Sequence, residues 1–112
     1  MSNLNYYQLK CVLINVFYQN ILKEKYTAHQ SANKCLKEFQ DDIQKDNLHQ
    51  LIIYATILAK VADYNEDSLK QFNNEIILIN QLSKTIDFSQ VLNEDEKISL
   101  EQDIALIQDS FL

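Results

Sequence analysis

Glycine and proline are both absent from the 112 residues, and tryptophan is missing as well. Without glycine the chain cannot form a P-loop, a dinucleotide-binding fingerprint or a nucleophile elbow, because each needs backbone that a Cβ atom would obstruct. The tight turns of β-hairpins also depend on glycine. These absences exclude the common nucleotide-binding and hydrolase motifs, and they favour helices joined by short links.

Arginine is the next absence, since all ten basic residues are lysine. Sixteen acidic residues outnumber them and give a formal charge of −6. Arginine makes most bidentate contacts to phosphates and bases, so we expect no nucleic-acid partner. An acidic surface favours a basic partner through electrostatic steering, although acidity also serves solubility alone.

Cysteine is scarce, with only Cys11 and Cys35. A secreted domain of this size usually carries more. The opening segment MSNLNYYQLK lacks the features of a signal peptide, and the longest apolar runs, LIIYA and IILI, are too short to cross a bilayer. The sequence therefore predicts a soluble cytoplasmic protein with reduced thiols and no membrane partner.

Apolar residues recur every three or four positions along nearly the whole chain, and 46% of residues are hydrophobic. We predict an all-α fold, a compact up-and-down bundle of four to five antiparallel helices in a single domain, 1–112. The predicted helices run from about Leu4 to Lys23, from a Thr27 cap to Ile43, from Asp46 or Asn47 to Asp63, from Asn65 or Asp67 to Ile86, and from an Asn93 cap to Phe111.

The turns between these helices are predicted at asparagine, aspartate and serine, which tolerate left-handed backbone. Asn65 and Asn93 are the main candidates. Capping boxes are predicted for Thr27 with Gln30 and for Asn93 with Glu96.

The first predicted helix is apolar around most of its circumference, which is typical of a helix at the centre of a bundle or in an oligomer interface. Its main stripe is predicted to face the core, and a homo-oligomer formed through this helix is an alternative. The stripe consists of Leu4, Tyr7, Cys11, Ile14, Tyr18 and Ile21. The third predicted helix is also expected at the centre, because three alanines on its main face permit close packing.

No catalytic, cofactor or metal motif is evident. His29 and His49 are the only histidines, neither has metal-ligand spacing, and the chain contains no C-x-x-C. Cys35 and His29 lie six residues apart and cannot meet on one helix, while Cys11 is predicted to be buried. We therefore predict a protein that is not an enzyme and needs no metal or cofactor. A site assembled in three dimensions from His29, His49 and Cys35 is the alternative.

The acidic residues are predicted to gather where helices end. Asp41 and Asp42 would lie in the last turn of the second helix, where negative charge opposes the helix dipole, so stability does not explain them. Tyr64 lies among carboxylates and is the aromatic candidate for a contact. The predicted partner-binding residues are Asp41, Asp42, Asp46, Asp63, Tyr64, Glu66, Asp67, Glu94, Asp95 and Glu96.

In size, acidity and helical character the whole chain resembles bacterial toxin-immunity proteins, including those of contact-dependent growth inhibition systems. The resemblance involves no shared motif and transfers no individual residue. It implies a protein that neutralises a basic protein partner, such as a nuclease toxin domain with a basic active-site cleft.

Two other functions remain open. One is a phage-encoded anti-defence inhibitor that presents carboxylates in place of nucleic-acid phosphates, which a continuous acidic stripe along the molecule would favour. The other is a self-assembling helical structural protein, which the broad apolar girth of the first helix favours.

Overall fold

The computed structural model describes residues 5–111, with the side chain of Phe111 excepted, and this part of the chain forms helices and no strand. The all-α bundle is therefore confirmed. Five longer helices correspond to the five predicted ones, and shorter helical segments link them. The elements are α1 Tyr6–Leu22, α2 Ala28–Glu38, α3 Gln40–Ile43, α4 Asn47–Asn65, a 3₁₀ helix Glu66–Phe72, α5 Asn73–Thr85, α6 Phe88–Val91 and α7 Glu94–Phe111.

Helix α4 lies at the centre of the bundle, as predicted. It packs against α1, α2, α3, the 3₁₀ helix, α5 and α7. Its alanines Ala55, Ala59 and Ala62 are all buried, which lets neighbouring helices approach closely. The other buried side chains of α4 are Leu51, Ile52, Ile53, Thr56, Ile57, Leu58 and Val61.

Helices α1, α4 and α7 run in the same direction, as the alternating order of an up-and-down bundle requires. Tyr6 and Lys10 of α1 contact Ser99 and Asp103 of α7 in the same order along both helices. The first turns of α1 and α4 also line one cleft together with the first turn of α7. The starts of these three helices therefore meet at one end of the molecule.

A partly buried polar network joins α1 to α7. The ammonium of Lys10 donates to Ser99 Oγ at 2.8 Å and to Asp103 Oδ2 at 2.7 Å, and the Tyr6 hydroxyl donates to Ser99 Oγ at 3.0 Å. Burial raises the pKa of Tyr6 to about 12. Burial also raises the pKa of Asp103, although Lys10 acts to lower it. The network fixes the register of α1 against α7.

Both predicted capping boxes are present. Thr27 Oγ1 accepts the Gln30 N–H at 3.1 Å, and Asn93 Oδ1 accepts the Glu96 N–H at 2.9 Å; the reciprocal bonds are 3.0 Å long in each box. A third box, between Asn5 and Gln8, starts α1. The predicted start at Leu4 lies outside the described residues.

The predicted left-handed turns at Asn65 and Asn93 are both wrong, although Asn93 does cap α7. Helix α4 extends through Asn65 and continues directly into the 3₁₀ helix, and the Asn65 side chain makes no capping hydrogen bond. Within residues 5–111, positive φ occurs only at Lys25, where φ is 61°. Lys25 lies in the link from α1 to α2, and the next residue donates its N–H to the Asn20 carbonyl at 3.1 Å. The left-handed position of this turn is therefore occupied by a lysine and not by glycine or asparagine.

The face of α1 that packs into the core differs from the predicted one. Tyr7 is 44% exposed and Cys11 is also exposed, so the prediction that their stripe faces inward is wrong, and α1 lies at the edge of the bundle. Ile14 and Tyr18 are half-buried, Ile21 is buried, and Leu4 is not among the described residues. The face that is buried consists of Tyr6, Leu9, Leu13, Phe17, Asn20 and Ile21.

Lys25→Gly is expected to stabilise the protein. A side chain with a Cβ atom costs about 1–2 kcal/mol in the left-handed region, and glycine relieves this while adding entropy to the unfolded chain. We expect the free energy of unfolding to rise by about 0.5–1 kcal/mol in urea denaturation. Lys25→Ala retains the Cβ atom and serves as the control. An equal gain in both variants would contradict the backbone explanation.

Candidate functional site

An open cleft of about 250 Å³ lies where α1, α4 and α7 begin. Its floor is apolar, because Leu9 and Ile52 are buried and Leu48 is half-buried. Its rim carries an amide, an imidazole and a carboxylate. The full lining is Asn5, Tyr6, Leu9, Leu48, His49, Ile52, Val91, Leu92 and Glu96. We call this feature the acidic cleft, for the carboxylates described next.

Asp46 stands beside the acidic cleft as the cap of α4. Its Oδ1 atom accepts the backbone N–H of His49 at 2.7 Å and also the His49 Nδ1 at 2.8 Å. Because an ionised carboxylate only accepts hydrogen bonds, His49 Nδ1 carries the hydrogen of this bond. One oxygen of Asp46 therefore both starts the helix and orients the imidazole that lines the cleft.

The pKa of Asp46 reflects these bonds. Its slight burial acts to raise the pKa, but the backbone N–H and the ring of His49 together lower it below the ordinary value. The carboxylate is thus held in its charged form beside the cleft.

Glu96 contributes the carboxylate that lines the cleft itself. Its Oε1 accepts the Asn93 N–H at 3.0 Å, which orients the side chain at the start of α7. Glu94 and Asp95 share this first turn and are exposed. The structure therefore brings four of the predicted residues to one end of the molecule: Asp46, Glu94, Asp95 and Glu96.

Exposed apolar side chains accompany these carboxylates. Val91, which lines the cleft, is 52% exposed, and Ile98, one turn into α7, is 42% exposed. Lysine and arginine have apolar stems and charged heads, and a surface that mixes apolar and acidic groups can receive both parts. The cleft is smaller than the roughly 300–1,000 Å³ of ordinary small-molecule sites, so it is suited to a single side chain.

The predicted position of Asp41 and Asp42 is wrong. Helix α2 ends at Glu38, and both residues lie in the first turn of the separate short helix α3. The unfavourable dipole interaction that was predicted for them is therefore absent. Asp42 is 9% exposed and offers little surface to a partner, whereas Asp41 is exposed.

The remaining predicted residues form a second acidic group at the far end of α4. Asp63, Tyr64, Glu66 and Asp67 are all exposed, and Tyr64 is 54% exposed. Asp63 pairs with Lys60 at 3.6 Å. Seventeen helical residues separate Asp46 from Asp63, or about 25 Å, so one small interface cannot centre on both groups.

Helix α7 carries acidic residues that the sequence analysis missed. Glu101 and Asp109 are exposed and continue the outer face that begins at Glu94. The whole helix has six acidic residues against Lys97 alone. Their signal in the sequence is the spacing of seven and eight residues between Glu94, Glu101 and Asp109, which places them on one face of a helix.

A second open cleft, of about 410 Å³, lies among α2, α3, α4 and α5. Its lining includes one lysine, Lys37, and one glutamate, Glu75, so it has no net charge. Amide side chains and Tyr54 make up much of the rest, and the amides are Asn33, Gln40, Gln44 and Gln50. This second cleft therefore lacks the acidic rim over an apolar floor that the acidic cleft has.

The histidines and cysteines occupy separate environments. The ring of His29 packs edge-on against Phe72 at 5.3 Å, while His49 bonds to Asp46. Cys35 is fully buried, and burial raises its pKa to about 12. Cys11 is exposed, so the prediction that it is buried is wrong. Among the residues that the structure describes, no group of three or more His, Cys, Asp and Glu side chains could hold a metal ion.

Comparison with protein-family models, with curated proteins and with solved structures returned no match. No helix in the described part of the chain has both the length and the hydropathy that a membrane span needs.

Removing the Asp46 carboxylate is expected to destabilise the protein in a pH-dependent way. Asp46→Ala loses the cap of α4 and should lower the free energy of unfolding by about 1 kcal/mol at neutral pH. Because the pKa is lowered by folding, this contribution is complete above the ordinary value of 3.8 and is lost as pH falls through the folded-state pKa. In urea denaturation at a series of pH values, the free energies of unfolding of wild type and Asp46→Ala should therefore become equal in acid.

Asp41→Ala is the control for this experiment, because Asp41 is an exposed aspartate that caps no helix. It should change stability by less than about 0.5 kcal/mol at every pH. If the difference in free energy of unfolding between wild type and Asp46→Ala stayed constant into acid, the charge of the Asp46 carboxylate would contribute nothing to stability.

Proposed function

We propose that this chain is a small binding protein that neutralises a basic protein partner, and that it contacts the partner through the acidic cleft. In its most specific form the proposal is an immunity protein that blocks a cognate bacterial toxin. The observation that carries it is an open apolar cleft at the meeting point of three helix starts, with the Glu96 carboxylate in its lining and the Asp46 carboxylate bonded to the lining residue His49.

The proposed mechanism has two parts. The exposed carboxylates of Glu94 and Asp95, on a chain of charge −6, steer a basic surface toward this end of the molecule. A lysine or arginine of the partner then lays its apolar stem over Leu48 and Ile52 and brings its charged head to Glu96. Insertion of one anchor side chain into a small desolvated pocket is the usual pattern of a protein–protein hot spot.

The proposed binding site is supported by hydrogen bonds that already fix the side chains at the rim of the acidic cleft. Glu96 and Asp46 are already held by hydrogen bonds to backbone N–H groups, and the His49 ring is held by Asp46. Side chains that are fixed before binding lose less conformational entropy on association. The rim of the cleft is therefore suited to recognition without rearrangement.

The second candidate is an inhibitor that mimics nucleic acid, and the charge of α7 favours it. Glu94, Glu101 and Asp109 lie on the exposed part of this helix at separations of seven and eight residues, or about 10–12 Å. Such a line of carboxylates would engage a positively charged groove along its length. The nucleic-acid mimic would contact its target along the whole of α7, whereas the immunity protein would contact its partner only at the cleft end of this helix.

Charge reversal at the two ends of α7 is expected to separate these functions. Glu94→Lys with Asp95→Lys changes the cleft end, and Glu101→Lys with Asp109→Lys makes the same change in net charge farther along the same helix. Within residues 5–111, none of these four side chains makes a capping hydrogen bond or an ion pair with lysine. The assay is growth protection on co-expression with any basic toxin domain found among the genes beside this one.

Wild type and the Glu101/Asp109 variant should protect, while the Glu94/Asp95 variant should fail and bind about a hundredfold more weakly or worse in calorimetry. Equal loss in both variants would support the nucleic-acid mimic. A basic toxin domain missing from the neighbourhood of the gene, or wild type that fails to protect against one, would contradict the immunity role.

A further inference from the structure

The outer side of α1 carries an apolar surface that the bundle covers only in part, since Ile14 and Tyr18 are half-buried and the other members are exposed. Its members fall within an arc of about 80° on a helix of 3.6 residues per turn, so they form one continuous strip about 22 Å long. Tyr7 is 44% exposed, Leu22 is 67% exposed, and Cys11 is exposed as well. We call this surface the outer stripe, and it consists of Tyr7, Cys11, Ile14, Tyr18 and Leu22.

The two aromatic rings of the outer stripe are held in place by the core. The ring of Tyr7 lies edge-to-face against buried Tyr6, with centroids 5.1 Å apart, and Tyr18 lies the same way against buried Phe17 at 5.4 Å. Tyrosines fixed in this manner offer large contact area with little loss of side-chain entropy on binding. The stripe is thus preorganised as a contact surface.

The outer stripe carries no charge. Lys10 is the only charged residue of α1, and its ammonium is engaged by Asp103 at 2.7 Å. Within α1 the exposed residues beside the stripe, Gln8, Asn15 and Gln19, are polar and neutral. At the Leu22 end, the ammonium of Lys25 donates to the Leu22 carbonyl at 3.2 Å. On a chain of charge −6, this is a surface where a second copy can approach without bringing carboxylates together, and it offers nothing to a basic partner.

We infer that the outer stripe binds the outer stripe of a second copy of this chain, forming a two-fold symmetric dimer. Tyr7, Cys11, Ile14 and Tyr18 follow the alternating four- and three-residue spacing of a coiled-coil seam, which lets two such helices interlock. Two helix faces of this length bury about 1,000 Å² in total, near the lower limit for a specific interface, so the dimer is weak and concentration-dependent. This inference does not depend on the proposed function.

Sedimentation equilibrium over a wide concentration range tests the dimer. The mass of the wild-type chain should rise from the monomer value toward twice that value. Tyr7→Glu and Leu22→Glu place like charges at the symmetric contact and should weaken dimerisation at least about tenfold each. Ile77→Glu is the matched control, because Ile77 is a comparably exposed apolar residue, at 47%, on α5. Circular dichroism checks that every variant remains folded.

A spin label on Cys11 provides a second measurement. Fully buried Cys35 does not compete for the label. In a dimer formed through this seam, both Cys11 positions lie near its middle, within about 20 Å of each other, so electron dipolar coupling should appear as concentration rises. A wild-type mass that stays monomeric at the highest concentration would overturn the inference. So would a dimer that Ile77→Glu weakens as much as Tyr7→Glu, or one in which the Cys11 labels show no coupling.

Discussion

The burial of the middle of α4, residues 51–62, on almost all sides is the constraint on which the rest of the structure depends. A helix surrounded by neighbours must be apolar around its circumference, and each large apolar side chain it buries contributes about 1.5–3 kcal/mol relative to exposure. The alanines on α4 set how closely its neighbours approach. Every other long helix packs against α4. In this way α4 also determines which helix ends come together.

The acidic cleft is a direct consequence of that arrangement. In an alternating bundle around α4, helices α1 and α7 run parallel to it, and three helix starts converge. Helix starts favour capping and acidic residues, which explains Asn5, Asp46 and Glu96 without any function. What capping does not explain is the open apolar floor beneath them, or the exposed Val91 and Ile98 beside them. The proposed binding role therefore rests on the apolar floor and on these two exposed side chains, and not on the caps.

The sequence predicted the architecture well because helical periodicity and caps are local signals. Thr27, Asp46 and Asn93 were identified from a few neighbouring residues. The face of α1 could not be chosen, because Leu9, Leu13 and Phe17 form one apolar stripe while Tyr7, Cys11 and Ile14 form another, and periodicity does not rank them. The break before Asp41 and the turn at Lys25 also escaped prediction, since neither follows the usual turn residues. The acidic cleft draws on three helices far apart in sequence, so only its carboxylates were found, and not His49 or Val91.

The central claim is that the acidic cleft receives the basic surface of a partner. Backbone amide chemical shifts of the labelled chain, recorded while a basic toxin domain found among the neighbouring genes is added, test it most directly. The account predicts perturbations concentrated in residues 46–52 and 91–98, with residues 63–67 and the outer stripe of α1 unchanged. Perturbations centred on residues 63–67 or on α1, or binding that leaves the cleft residues unmoved, would contradict it.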